Sequence, residues 1–130
     1  MMMISRSNKS LGDEYEREVV DLLFKQGYWV HFVERNKAGA QPFDIIAVKN
    51  ERAYAIDCKT LDDKEKYFRL SRLEDNQITS FQRWLQCGNN MPLVFVKHDG
   101  TTHVVRFEEL IKNGKVNIDE ISSWEGHTDL

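Results

Sequence analysis

Residues 41–60 read QPFDIIAVKNERAYAIDCKT, and this stretch decides the fold. Two apolar runs, 45–48 and 53–56, flank the polar Lys49, Asn50, Glu51 and Arg52, the pattern of two strands joined by a tight turn. Asp44, Asp57 and Lys59 break the apolar pattern. Placing such groups in central strands costs on the order of several kcal/mol unless something compensates. With the turn centred between Asn50 and Glu51, residues whose numbers sum to 101 pair, so Asp44 falls opposite Asp57 with Cβ atoms about 4.5–5.5 Å apart. Lys59 shares their face because strand side chains alternate.

Two carboxylates facing each other across a ladder repel, which predicts a cation between them. A hard divalent ion such as Mg²⁺ suits oxygen donors. An ammonium beside it can stabilise charge developing on a phosphodiester or orient a nucleophile. The Asp-x-Lys spacing alone is weak, since Asp62 and Lys64 match it too, within a charge run (62–66, DDKEK) that reads as solvated. What separates Asp57 and Lys59 is their apolar strand and the opposition to Asp44.

Working outward, Leu11, Tyr15, Val19, Leu22 and Leu23 recur at helical spacing over 10–26, with Ser10 as N-cap and Gly27 as stop. Glu16 shares the stripe of Gly12, Val19, Val20 and Leu23 and is turned partly toward the core. Residues 28–34 (YWVHFVE) read as a strand and 35–42 as a polar loop. Ile78, Phe81, Trp84 and Leu85 place a second helix over 73–88, and 91–107 gives two strands around an Asp99-Gly100 turn. A short helix at 108–112 and a weakly patterned acidic tail (114–130) follow. The expected order is α-β-β-β-α-β-β, an α/β fold with a mixed central sheet flanked by helices.

The 130 residues fit one domain, with 41% apolar residues and no run long enough to span a membrane. No signal-peptide pattern opens the chain, so a cytoplasmic protein is expected. Cys58 and Cys87 read as reduced, and the four scattered histidines argue against zinc. Net charge is −3, yet residues 1–100 hold 15 Lys+Arg and 15 Asp+Glu while 101–130 hold 3 and 6. The body is therefore neutral, and basic wherever its acids hold metal. Arg6, Lys9, Arg35, Lys37, Lys64, Lys66, Arg69, Arg72 and Arg83 are the candidates to face phosphates; a mixed-sign solvated surface accounts equally well for any one of them.

The set GDEYEREVVDLL (12–23), PFDIIAV (42–48) and YAIDCKT (54–60) resembles the PD-(D/E)xK nuclease superfamily, and is most similar to archaeal-type Holliday junction resolvases and related phage and bacterial recombination endonucleases. The resemblance implies a restriction-endonuclease-like fold and a Mg²⁺-dependent deoxyribonuclease, with Mn²⁺ able to substitute. It implies Asp44 and Asp57 as metal ligands with the Cys58 backbone carbonyl, Glu16 completing or supporting the site, and Lys59 as the catalytic lysine. Arg17 beside Glu16, with Arg35, Lys37 and Gln77, would contact DNA. Gln77 and Phe81 are similar to a Gln-x-x-x-aromatic element whose Gln lies near the site, although by its position alone Gln77 reads as a helix-surface residue. A branched substrate such as a four-way junction implies a homodimer, because two symmetric nicks need two sites. The alternatives are a restriction, repair or mobile-element nuclease on unbranched DNA, and a catalytically silent nucleic-acid-binding module of the same fold.

Overall fold

The structure, a computed structural model, describes residues 8–34, 41–126 and 128–130, with side chains from Leu11 onward. Helix α1 (Asn8–Lys25) is followed by strands β1 (Trp29–Phe32), β2 (Ile45–Lys49), β3 (Arg52–Thr60) and β4 (Tyr67–Arg69). A 3-10 turn (Leu70–Arg72) leads to α2 (Asp75–Gln86), and β5 (Leu93–His98), β6 (Thr101–Arg106), α3 (Phe107–Asn113) and β7 (Lys115–Asn117) complete the main elements. Five strands form one mixed sheet in the order β1-β2-β3-β5-β6. Only β3 and β5 run parallel, and α2 lies in the crossover that a parallel pair requires. Both hairpin strands lie inside the sheet, with β3 at its centre.

Alternation sorts the sheet into two cores. On one face Tyr15, Val19 and Leu23, spaced four apart along α1, bury against Ile45, Ala47, Ile56, Cys58 and Phe95. On the other, Ala55, Val94 and Val96 meet Phe81 of α2 and Phe107 and Leu110 of α3. Phe81 is fully buried, with ring centroids 5.8 Å from Phe43 and 5.1 Å from Phe107. Truncating it to Ala should cost about 3–5 kcal/mol. Asp57 and Lys59 follow Ala55 at intervals of two, so both belong to this second face, toward α2.

The turn geometry holds as expected. Lys49 pairs with Arg52, and the register sum of 101 runs back to Ile45 and Ile56. Asn50 and Glu51 have φ of 53° and 65°, the left-handed pair of a type I′ hairpin. Asp44 departs from that register. It lies just before β2, and its N–H donates to the Ile56 carbonyl at 3.1 Å, one residue short of Asp57. The ladder ends there, so Asp44 stands beside Asp57 and not squarely opposite it.

Other expectations need correction. Ser10 lies inside α1 and does not cap it. The first strand is four residues long because its flanks are not laddered to β2. The tail is not weakly organised: Lys115–Asn117 pairs with Tyr67–Arg69 in a second, two-stranded sheet, while Ile118 and Trp124 are buried. Three-residue strands are too short to show a period, which is why the sequence hid them. Arg35 and Lys37 lie outside the described residues. No helix among the described residues is long and apolar enough to cross a membrane.

Candidate active site

At the end of the hairpin away from its turn, a cleft of about 110 Å³ is lined by Glu16, Gln41, Asp44, Cys58, Lys59, Glu74 and Gln77. Asp57 is fully buried and is in contact with two of the lining residues, Gln77 and Lys59. Four elements converge here: α1 brings Glu16, the segment before β2 brings Asp44, β3 brings Asp57 and Lys59, and the start of α2 brings Gln77.

Each carboxylate is held differently. Asp44 accepts the Cys58 N–H at 2.7 Å on Oδ2 and the Gln41 amide at 2.9 Å on Oδ1. Asp57 accepts Gln77 Nε2 at 3.0 Å on Oδ1, while its Oδ2 is buried without a hydrogen-bond donor. Lys59 Nζ stands 3.3 Å from that Oδ2, an ion pair outside hydrogen-bond geometry. Burial raises the Asp57 pKa well above the usual carboxylate range, and the Asp44 charge raises it further; Lys59 opposes both. The same causes, burial first, push the Cys58 thiol upward, so it is an inert packing group.

Gln77 is the main correction at the site. It is buried, not a helix-surface residue, because Glu74 and Gln77 form a capping box at the start of α2. Gln77 Oε1 accepts the Glu74 N–H at 3.0 Å, which aims Nε2 at Asp57. The visible signal was an acid followed three residues later by Gln, just ahead of an apolar run. Gln41 was missed altogether; besides Asp44, its amide reaches the carbonyls of Val33 and Phe43 at 3.3 Å.

Glu16 is half-buried and faces the cleft, while Arg17 is exposed on α1. Among the described residues no three His, Cys, Asp or Glu side chains converge on one ion position. The groups that could hold an ion here are the Asp44 and Asp57 carboxylates with neighbouring backbone oxygens, all hard oxygen donors. The donorless Asp57 oxygen beside a second carboxylate is the group a divalent cation would satisfy. Gly12, with open space where a Cβ would stand, lines a broader groove of about 560 Å³ that shares Cys58 and Lys59 with the cleft.

The chain matches the family model of the archaeal Holliday junction resolvases (Hjc) over residues 7–128. Among solved structures it is similar to Hjc of Archaeoglobus fulgidus, described as a Holliday junction resolvase from an archaeal hyperthermophile. That match has a TM-score of 0.66 and 19% identity, covering 86% of this chain and 95% of the other. The likeness is one of fold, the five-strand mixed sheet flanked by helices. No curated protein matches the chain.

Proposed function

Because the chain belongs to the archaeal Holliday junction resolvase family, and with it to the PD-(D/E)xK nucleases, we propose that it is a Mg²⁺-dependent endonuclease that cuts four-way DNA junctions as a homodimer. The observation that carries this reading is Asp57: a fully buried carboxylate set beside Asp44, with one oxygen lacking a hydrogen-bond donor and Lys59 at its edge.

In this reading Asp44 and Asp57 hold the ion, the Cys58 backbone carbonyl is a third donor, and Glu16 supports the site from α1. A bound Mg²⁺, or Mn²⁺ in its place, would polarise the scissile phosphate and lower the pKa of the attacking water. Lys59, with a side chain 19% exposed, presents its ammonium at the cleft, where it stabilises negative charge developing on the phosphate. Gln77 contributes by fixing Asp57 Oδ1, which leaves Oδ2 for the ion. Arg17, with Arg35 and Lys37 ahead of Gln41, is assigned to phosphate contacts. Two symmetric nicks require two sites, hence the dimer.

The test compares a four-way junction with a linear duplex of the same arm sequences, measuring binding and cutting separately. Cutting of the junction in Mg²⁺ or Mn²⁺ and a bound, uncut complex in Ca²⁺ are expected, since the looser coordination of Ca²⁺ does not impose octahedral geometry. Equal binding and cutting of both DNAs, or a monomer at cutting concentrations, removes the junction reading. Undiminished cutting in excess EDTA removes the metal.

A further inference from the structure

The small β4–β7 sheet has an inner face and an outer one. Phe68 and Val116 point inward to the core that includes Phe81. Alternation sends Tyr67, Arg69, Lys115 and Asn117 outward. In the register Arg69 pairs directly with Lys115, so two cations face each other across a ladder and repel. The Tyr67 ring lies beneath both, 4.3 Å from Lys115 Nζ and 5.9 Å from the Arg69 guanidinium carbon. Such contacts offset about 0.5–1 kcal/mol at exposed positions. Among the described residues neither cation pairs with a carboxylate. Asp62 and Asp63, two of the three acids of the preceding turn, instead accept the backbone N–H groups of Lys64 and Asp99.

The chain runs from this face to the broad groove through the Leu70–Arg72 turn. Arg72, three residues after Arg69, donates to the Thr60 carbonyl at 2.8 Å, next to Lys59, and lines the broad groove. Lys59, Arg72, Arg69 and Lys115 thus follow one another along the path from β3 through the turn to β4 and β7, with the Arg72 guanidinium over the Phe68 ring on the inner side, 5.5 Å from its centroid. A polyanion leaving the cleft fits that sequence, and the rigid strands hold the outer two cations at fixed spacing.

We propose that Arg69 and Lys115, on their tyrosine floor, clamp the phosphate backbone of the double-stranded DNA arm that leaves the cleft, with Arg72 as the link between them. The origin of the arm rests on the nuclease reading above; its capture does not require cutting.

Binding of a duplex-armed junction is measured by fluorescence anisotropy in Ca²⁺ over a series of salt concentrations. The double variant Arg69→Gln, Lys115→Gln should lower the slope of log K against log salt by about two, close to one per lost phosphate contact. Exchanging the cations, Arg69→Lys with Lys115→Arg, should restore it. Lys25→Gln is the control, since Lys25 is already paired with Asp21 at 2.7 Å on α1, and it should keep the wild-type slope. Stepwise shortening of the arms should reach a length at which wild type and double variant have the same slope. A wild-type slope in the double variant overturns the clamp, as does a loss from Lys25→Gln of about half the double variant's, since one charge removed against two would then report net charge alone. Wild-type protein that binds with the clamp-dependent slope and cuts no DNA would overturn the nuclease reading and leave the clamp standing.

Discussion

Among the described residues, two of the places where like charges meet are opposites in character. Near the end of the β2–β3 ladder Asp44 and Asp57 are buried, and one oxygen of Asp57 lacks a donor. Across the β4–β7 ladder Arg69 faces Lys115 in the open, above the Tyr67 ring. Repulsion is strong where the dielectric is low and weak where water and salt screen it. The buried pair is therefore a stress on the fold that a bound cation would relieve. The exposed pair costs little and is free to attract an anion from outside.

The comparison breaks most sharply at Asp57. Asp57→Asn keeps the Gln77 hydrogen bond but removes a proposed metal ligand, so cutting should fall by about 10²–10³-fold or more, the scale set by losing a principal electrostatic contribution. The metal-free variant should gain stability of roughly 1–3 kcal/mol, the cost of an incompletely satisfied buried group. Denaturant unfolding in EDTA checks this; strong destabilisation with activity retained would show that the acids are structural.

Mg²⁺ is expected to have the next largest effect. It should stabilise the wild type against heat in proportion to RT ln(1 + [Mg²⁺]/Kd), and leave Asp57→Asn nearly unmoved. Equal melting shifts in both proteins would place the ion elsewhere.

A third expectation follows from the raised Asp57 pKa. The folded state holds this proton more tightly than the unfolded chain, where an aspartate titrates near about 3.9. Stability from this residue is full below that value and is lost as pH rises toward the folded pKa, so in EDTA stability should slope downward from about pH 4. Asp57→Asn should abolish that component, and added Mg²⁺ should flatten it by favouring the charged form. An identical pH slope in wild type and variant would refute the assignment.

The smallest effect belongs to the basic pair. Neutralising Arg69 or Lys115 alone should change stability by less than about 0.5 kcal/mol, as for other exposed charges. A larger loss would show that this ladder, too, carries the fold.

Much of the site was legible because its strongest constraint is local. The turn at Asn50 and Glu51 sets the register, and register plus alternation places Asp44, Asp57 and Lys59 together without knowledge of the rest. Asp44 was misjudged by one ladder position because a strand's end is not visible in a period of two. Gln77 was harder: its burial depends on where α2 begins relative to β3, and the partner that defines its role is 20 residues away. The β4–β7 sheet could not be read at all. Its strands are three residues long and show outward only charge, Tyr67 and Asn117, which look the same as a solvated loop.

The tight turn between β2 and β3 also orders events in time. Asp44 and Asp57 belong to one hairpin, a unit that closes in about 1–10 μs. Lys59 arrives on the same strand, but Gln77 comes only with α2, and the parallel partner of Ile56 is Leu93, 37 positions along the chain. Joining β5 to β3 must first overcome the closure entropy of that span. The acids therefore meet before Gln77 can reach Asp57, and the early hairpin carries its repulsion through the slow part of assembly. Acidification or divalent ions, by quieting that repulsion, should speed the refolding of wild type more than that of Asp57→Asn.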